Sequence, residues 1–219
     1  MSVPDRAAAA DLLVELDPPA WALRHARAVA EVAAWLAARI DRRGTPVDRR
    51  LVEAAALLHD VDKILPPDAP AHGLPHGDGS AAWLTARGHP ELGRSVAGHP
   101  VSRMADEERY RRWSAFASRE ERIVAYADKR AGQRLESMDA RFQSWARRYP
   151  GGWDDATAAR VRARAARLEA DVCRAAGVRP GEVRRLAWTG PALRAARARR
   201  TDARLGPSGG SSGRDRIAS

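Results

Sequence analysis

Hydrophobic and polar positions alternate along this chain with a helical rhythm. Trp21, His25, Val29, Val32 and Leu36 fall on one face of a stretch from Trp21 to Ile40, which predicts a first helix. Gly44-Thr45-Pro46 breaks it. A second helix is predicted over Asp48–His59, with Leu51, Ala55 and Leu58 on its buried face and His59-Asp60 at its C-terminal end. Leu65–Gly79 is rich in Pro and Gly and reads as a loop. Ser80–Arg87 is a short helix stopped by Gly88, and Pro90–Gly98 is another, with Leu92 and Val96 four residues apart. Pro100–Trp113 is polar and assigns no element. Arg119–Arg148 reads as one long helical stretch through Ile123, Tyr126, Arg130 and Leu135, and Tyr149-Pro150-Gly151-Gly152 ends it. Asp155–Ala176 is a further helix, carrying Val161, Leu168 and Val172 and closed by Gly177. Pro180–Trp188 adds a turn or two, and the Ala/Arg-rich Pro191–Arg200 fits a helix lying on a partner. Leu205–Ser219, with its Gly-Pro-Ser-Gly-Gly-Ser-Ser-Gly run, is expected to be disordered.

Composition narrows the fold class. Of 219 residues 44% are hydrophobic, enough for a real core, but Ala and Arg dominate while Val, Ile, Tyr and Phe are sparse. Helix formers are abundant and strand formers scarce, so an all-α fold is expected. The organisation expected is a domain over 1–150, a helical extension over 151–190 and an Arg-rich, largely disordered tail over 191–219. The lone Cys173 allows no disulfide within the chain and no Cys-rich zinc motif. Met1–Ala20 carries Asp5, Asp11, Glu15 and Asp17 and has no basic region ahead of an apolar run, so it does not read as a signal peptide. No apolar stretch is long enough to span a bilayer. A soluble, cytoplasmic protein is the expectation.

The net charge of +10 is unevenly placed. Residues 156–219 hold 15 Arg against 5 acids, and residues 1–155 balance. The excess therefore says nothing about the region that carries the candidate chemistry.

That chemistry lies in His25, His59, Asp60 and Asp128. Imidazole and carboxylate together suit divalent metals that activate water. His25 shares its face with Val29 and Val32 and so points inward. His59 and Asp60 are neighbours, and at a helix end two neighbours can face one ion. Asp128 ends the apolar run Ile123-Val124-Ala125-Tyr126-Ala127, where an unpaired carboxylate is costly to bury. Each has an ordinary alternative: a satisfied core histidine, a chance His-Asp dipeptide, a carboxylate paired with Arg130 or Arg134.

The four in this order, with Leu57-Leu58-His59-Asp60-Val61-Asp62-Lys63, resemble the HD-domain metal-dependent phosphohydrolases of the HDxxK type. The resemblance runs from about Trp21 to Arg134. His76 with Ser80-Ala81 and Leu84 is similar to the His-x-x-x-Gly-Ala-x-x-Leu segment of binuclear members, and Val96-Ala97-Gly98-His99 to their helix ending in a His. The resemblance implies an all-α HD bundle in which His25, His59, Asp60 and Asp128 hold one divalent ion. It implies that His76 and His99 hold a second, with Asp60 bridging. Iron or manganese is the metal implied, with magnesium, cobalt and nickel as substitutes. A metal-activated water would attack the phosphorus of an ester or anhydride, and the substrate implied is a small phosphorylated molecule, a nucleotide above all. Lys63 would bind a substrate phosphate, and Arg130 and Arg134 would clamp phosphate or pair with Glu136 and Asp139. Asp62 would accept a proton or orient water. His72 and His89 match nothing and are expected to be solvated.

The nearest pattern is the subgroup that hydrolyses diadenosine tetraphosphate symmetrically. The chain departs from it at Lys129-Arg130-Ala131-Gly132 and at Pro100 after His99. It has no Gly-Tyr-Pro signature of cyclic di-GMP cleavage and no Glu-Asp pair of alarmone hydrolases. Two other readings remain: a non-catalytic module that binds a nucleotide or partner, and nucleic-acid binding through Arg194, Arg197, Arg199 and Arg200. Of the seven tryptophans, Trp21 and Trp35 fit a helical core, and Trp83 or Trp113 is the candidate to stack on a base.

Overall fold

A computed structural model describes residues 3–205, and over these the chain forms ten α-helices and no strand. In order they are α1 (Arg6–Glu15), α2 (Ala20–Arg42), α3 (Arg49–Leu58), α4 (Asp78–Ala86), α5 (Pro90–Ala97), α6 (Glu107–Phe116), α7 (Arg119–Arg130), α8 (Met138–Arg148), α9 (Asp155–Ala176) and α10 (Thr189–Leu205). Short 3-10 turns cover Val61–Ile64, Val101–Met104 and Pro180–Glu182. The fold is the all-α bundle that the composition implied. No described helix is long and apolar enough to cross a membrane.

The centre of the bundle is α2. Its residues Ala28, Val29, Ala30, Val32, Ala33, Ala34, Leu36 and Ala37 are all fully buried, so it is packed on every side along its middle. It packs against α3, α7, α9 and α10. The run of alanines permits this: a side chain of one methyl lets neighbouring helices approach closely, and alanine costs least in a helix. Side-chain caps fix several helix starts. Asp5, Asp48, Asp106, Ser118, Ser137 and Asp154 each accept a backbone N–H of the following first turn.

Three elements depart from the sequence reading. The helix expected over Arg119–Arg148 is two helices, because α7 stops at Arg130 and the backbone turns through Ala131–Ser137. Helical periodicity runs on through this stretch, but Gly132 donates forward to the Arg134 carbonyl and Glu136 donates back to the Arg130 carbonyl, which closes a loop. The N-terminal segment forms α1, which the sequence reading left unassigned. Third, α10 lies on α1 of this same chain, where a helix on a partner or an unfolded tail was expected. Arg199 pairs with Asp11 at 2.7 Å, and Arg200 donates to the Val14 carbonyl. The expected disorder of Leu205–Ser219 falls, beyond Leu205, outside the described residues.

Candidate metal centre

Five elements bring the six expected metal ligands together. His25 comes from the first third of α2, His59 and Asp60 from the C-terminal end of α3, and His76 from the loop before α4. His99 follows α5, and Asp128 lies in the last turn of α7. The break of α7 after Arg130 matters here, because the carbonyl of Gly132 in the following loop accepts from His25 Nδ1 at 2.7 Å.

Each histidine is oriented in the same way. His59 Nδ1 faces the Ala56 carbonyl at 2.9 Å, and His99 Nδ1 faces the Val96 carbonyl at 2.6 Å. His76 Nδ1 faces the Asp62 carboxylate at 3.0 Å. An acceptor at Nδ1 fixes the proton there, so each ring presents Nε2 as a lone-pair donor. All four Nε2 atoms turn toward Asp60. Its Oδ1 lies 3.2 Å from His99 Nε2, 3.4 Å from His76 Nε2 and 3.5 Å from His59 Nε2. Its Oδ2 lies 3.2 Å from His25 Nε2. Asp128 Oδ1 stands 3.4 Å from His25 Nε2 and 3.7 Å from His59 Nε2.

The closest pair is the telling one. His25 Nε2 and His59 Nε2 are 3.1 Å apart, two nitrogens whose lone pairs would repel unless a cation or a proton lies between them. Donors about 2.1 Å from one divalent ion stand roughly 3.0–3.4 Å apart, close to the spacings of 3.1 to 3.7 Å in this cluster. The donor set therefore fits divalent metal. His25, His59 and Asp128 form one group of ligand atoms and His59, Asp60 and His99 another, while Asp60, Asp62 and His76 form a third.

Electrostatics follow from burial and these partners. Burial opposes charge on both carboxylates, yet His59, His25, His99 and Lys63 hold Asp60 well below the usual carboxylate range. Asp128 is held down likewise, by His25 and Lys129. Burial pushes His59 down to about 3, aided by its neighbours His99 and His25. Burial disfavours charge on His25 too, but the bonds to Asp128 and Asp60 win and push it up to about 9. With no metal bound, a proton on His25 takes the place of the cation. Metal binding at pH 7 must therefore displace about one proton, and affinity must rise about tenfold per pH unit up to about pH 9. Calorimetric titration with Mn2+ in buffers of different ionisation enthalpy checks this; no net proton release at pH 7 would contradict it.

Asp62 does not face the cluster as a free base. Its Oδ2 accepts from His76 Nδ1 and from the Gly77 N–H at 2.6 Å, so it positions the histidine. Gly77 has φ +87°, and a side chain there would meet the Pro100 ring at 2.8 Å, so glycine is required for this turn. Asp62→Asn would put a donor amide where one of two N–H groups now needs an acceptor. We expect metal affinity to fall about 10–100-fold with the fold intact, as measured by metal titration and circular dichroism.

Lys63 Nζ donates to Asp60 Oδ2 at 2.8 Å, and its side chain is 41% exposed, so it stands at the rim beside the ligands. Arg130 lies elsewhere. It is buried, and its guanidinium is taken up by the Tyr126 hydroxyl, Glu169 and the carbonyls of Glu136 and Pro180. It ties α7 to α9 and offers substrate nothing. Arg134 is exposed, with its Nε 3.9 Å from Glu136. His72 is exposed, its Nδ1 facing the Leu65 carbonyl, and His89 is half-buried as the N-cap residue of α5.

Two residues behind the ligands escaped the sequence reading. Lys129 is fully buried and donates to the carbonyls of His99 at 2.7 Å and Ala125 at 3.1 Å. Burial pushes its ammonium down to about 8 against the pull of Asp128. Arg103 donates to the His76 carbonyl at 2.9 Å and pairs with Asp78 at 2.7 Å, holding the His76 loop. Lysine is rare in this Arg-rich chain, which was the one available signal for Lys129; Arg103 carried none.

The family-level comparison agrees with this geometry. Residues 22–133 match the family model described as HD domain, and this segment contains all six expected ligands. The chain belongs to the HD-domain family. This is a superfamily of metal-dependent phosphohydrolases, and HD domains bind divalent metals. No curated protein matches the chain significantly, and neither does any solved structure. In this HD domain α1, α8, α9 and α10 lie outside the matched segment.

Proposed function

We propose that this HD domain hydrolyses a phosphate ester or anhydride of a nucleotide at a centre of two divalent ions. The observation that carries the reading is the set of four imidazoles, each held through Nδ1, whose Nε2 atoms face the two oxygens of Asp60. His25, His59, Asp60 and Asp128 would hold one ion and His76 and His99 the other, with Asp60 shared; iron or manganese suits this donor set. Bound divalent metal supplies a water-derived nucleophile near neutral pH and offsets charge on the phosphoryl oxygens.

The chain's own residues do the rest. Lys63 offers a compact mobile ammonium at the rim of the centre, suited to a phosphate oxygen once the ions draw Asp60 to themselves. Buried Lys129 and half-buried Arg103 fix the backbone behind His99 and His76, which keeps the donors rigid. Both departures from the diadenosine tetraphosphate subgroup fall in this wall: Lys129 bonds the His99 carbonyl, and Pro100 packs on Gly77.

The nucleotide part of the reading is supported by Trp21. Expected in the core, it is 44% exposed, one helical turn before His25 on the same face of α2. The tryptophans first considered for stacking are engaged elsewhere. Trp83 is buried with Arg87 over its ring, and Trp113 lies against Gly98. Trp21 thus has exposed ring surface on which a base would stack.

The test is phosphate release from mono-, di- and dinucleoside polyphosphates and from inorganic tripolyphosphate, with Mn2+ or Fe2+. Turnover of nucleotides is expected. With Trp21→Ala, kcat/KM for nucleotides should fall about 10–100-fold through KM, while tripolyphosphate turnover holds. Equal loss on both substrates would refute a stacking role. No turnover of any phosphate compound by metal-loaded protein would refute the hydrolase reading and favour a binding module. The nucleic-acid reading has less support, since Arg199 and Arg200 are engaged with α1.

A further inference from the structure

A cavity of about 640 Å3 lies between α6, α7 and α9, and none of the six metal ligands lines it. Five arginines do: Arg119, Arg122, Arg164, Arg167 and Arg174, against one carboxylate, Asp171. One wall is α9, from outside the family-matched segment, so this chain's own extension completes the cavity.

The arginines divide into two kinds. Arg122 pairs with Asp171 at 3.2 Å and donates to the carbonyls of Ala117 and Ser114. Arg164 is buried, donates to the Met104 carbonyl at 2.7 Å and pairs with Glu107. These two are satisfied and build the walls. Among the described residues Arg119 donates only to a carbonyl, that of Pro46, at 2.7 Å. Arg167 and Arg174 have no hydrogen bond or ion pair among the described residues. They stand seven residues apart on α9, two turns along one face. Three guanidinium charges are thus uncompensated around one concave surface. A solvated arginine face usually spreads over a convex surface; a concave wall of one sign concentrates potential and attracts anions. Guanidinium groups suit phosphate oxygens, which they bind in pairs. The apolar floor, with Leu168 and Val172, accepts an uncharged body behind the anion.

We propose that this cavity is a second site, separate from the metal centre, for a small phosphate-bearing anion held by Arg119, Arg167 and Arg174. The test is calorimetric titration of the full chain with inorganic pyrophosphate, in chelator so that the metal centre is empty of ions. Wild type should bind about one equivalent. The double variant Arg167→Gln/Arg174→Gln, both exposed positions whose fold circular dichroism would check, should bind at least tenfold more weakly. Arg194→Gln/Arg197→Gln on α10 removes the same charge elsewhere and should bind as wild type does, as should Lys63→Ala. The proposal is overturned if wild type binds no pyrophosphate, or if the α9 double variant binds normally. Equal weakening of both double variants would overturn it in favour of diffuse charge. Loss with Lys63→Ala would overturn it in favour of the metal centre.

Discussion

Asp60→Ala is expected to reduce phosphate release to background and to remove most bound metal, while the helical fold persists. Four imidazole Nε2 atoms face the two oxygens of this one carboxylate, at 3.2–3.5 Å. No neighbouring group can replace it: Asp62 is committed to His76 and Gly77, and Asp128 faces only His25 and His59. Without Asp60, His76 and His99 keep no carboxylate at Nε2 and His25 and His59 keep Asp128 alone, so the set loses the charged oxygen donor common to all four and holds a divalent ion poorly against water. The loss should be at least about 10³-fold in kcat/KM, since both metal charge and nucleophile supply depend on the site. Metal analysis and phosphate release on the same purified variant check it. A variant that retains full metal and more than a tenth of the activity would show that Asp60 is not the shared ligand.

Glu31→Ala is expected to destabilise the protein by about 3 kcal/mol without touching the metal centre. Glu31 lies on the buried middle of α2 and is 3% exposed. Its Oε2 accepts from Arg185 at 2.6 and 3.0 Å, and its Oε1 accepts from the fully buried Thr189 hydroxyl. Its backbone carbonyl accepts from the Leu186 N–H at 2.9 Å. Removing the carboxylate leaves the fully buried Thr189 hydroxyl without its acceptor, a desolvation cost that is not recovered, and takes from Arg185, 35% exposed, the partner that ties it to α2. The approach to α10 is anchored here, so the C-terminal helix should loosen first. For a chain of this length the change corresponds to roughly 6–12 °C in Tm. Denaturant unfolding and melting curves measure it. A shift under about 0.5 kcal/mol would mean that α10 contributes little to the folded state. Metal content of the folded variant should equal that of wild type, which separates the two predictions.

Much of this was legible in the residues. Helical periodicity marks α2, α3, α5 and α9, and the ends of α9 fall at Asp155 and Ala176 as read. Of the six residues brought together at the centre, His25, His59, Asp60 and Asp128 were nameable from their chemistry at inward or adjacent positions, and His76 and His99 from the resemblance to binuclear HD-domain members. What escaped depended on contacts across the fold. The break after Arg130 has no proline to announce it, and only the bond that His25 Nδ1 donates to the Gly132 carbonyl shows its purpose. Arg130 looked like a phosphate clamp because it follows Asp128 closely, but on a helix two residues apart point nearly opposite ways, and it faces α9. Trp21 looked like core because it shares the stripe of His25; it lies at the helix start, beyond the packing that covers the middle of α2. The role of Asp62 was invisible for the same reason, since its partner His76 is fourteen residues away in an irregular loop.

The most direct test of the central claim is the metal stoichiometry of the full chain, by anaerobic titration with Mn2+ or Fe2+ and elemental analysis after desalting. Two equivalents per chain are expected, falling to about one in His76→Ala and to nearly none in Asp60→Ala. Failure of the wild-type protein to retain any divalent metal would contradict the account of this cluster as a metal centre.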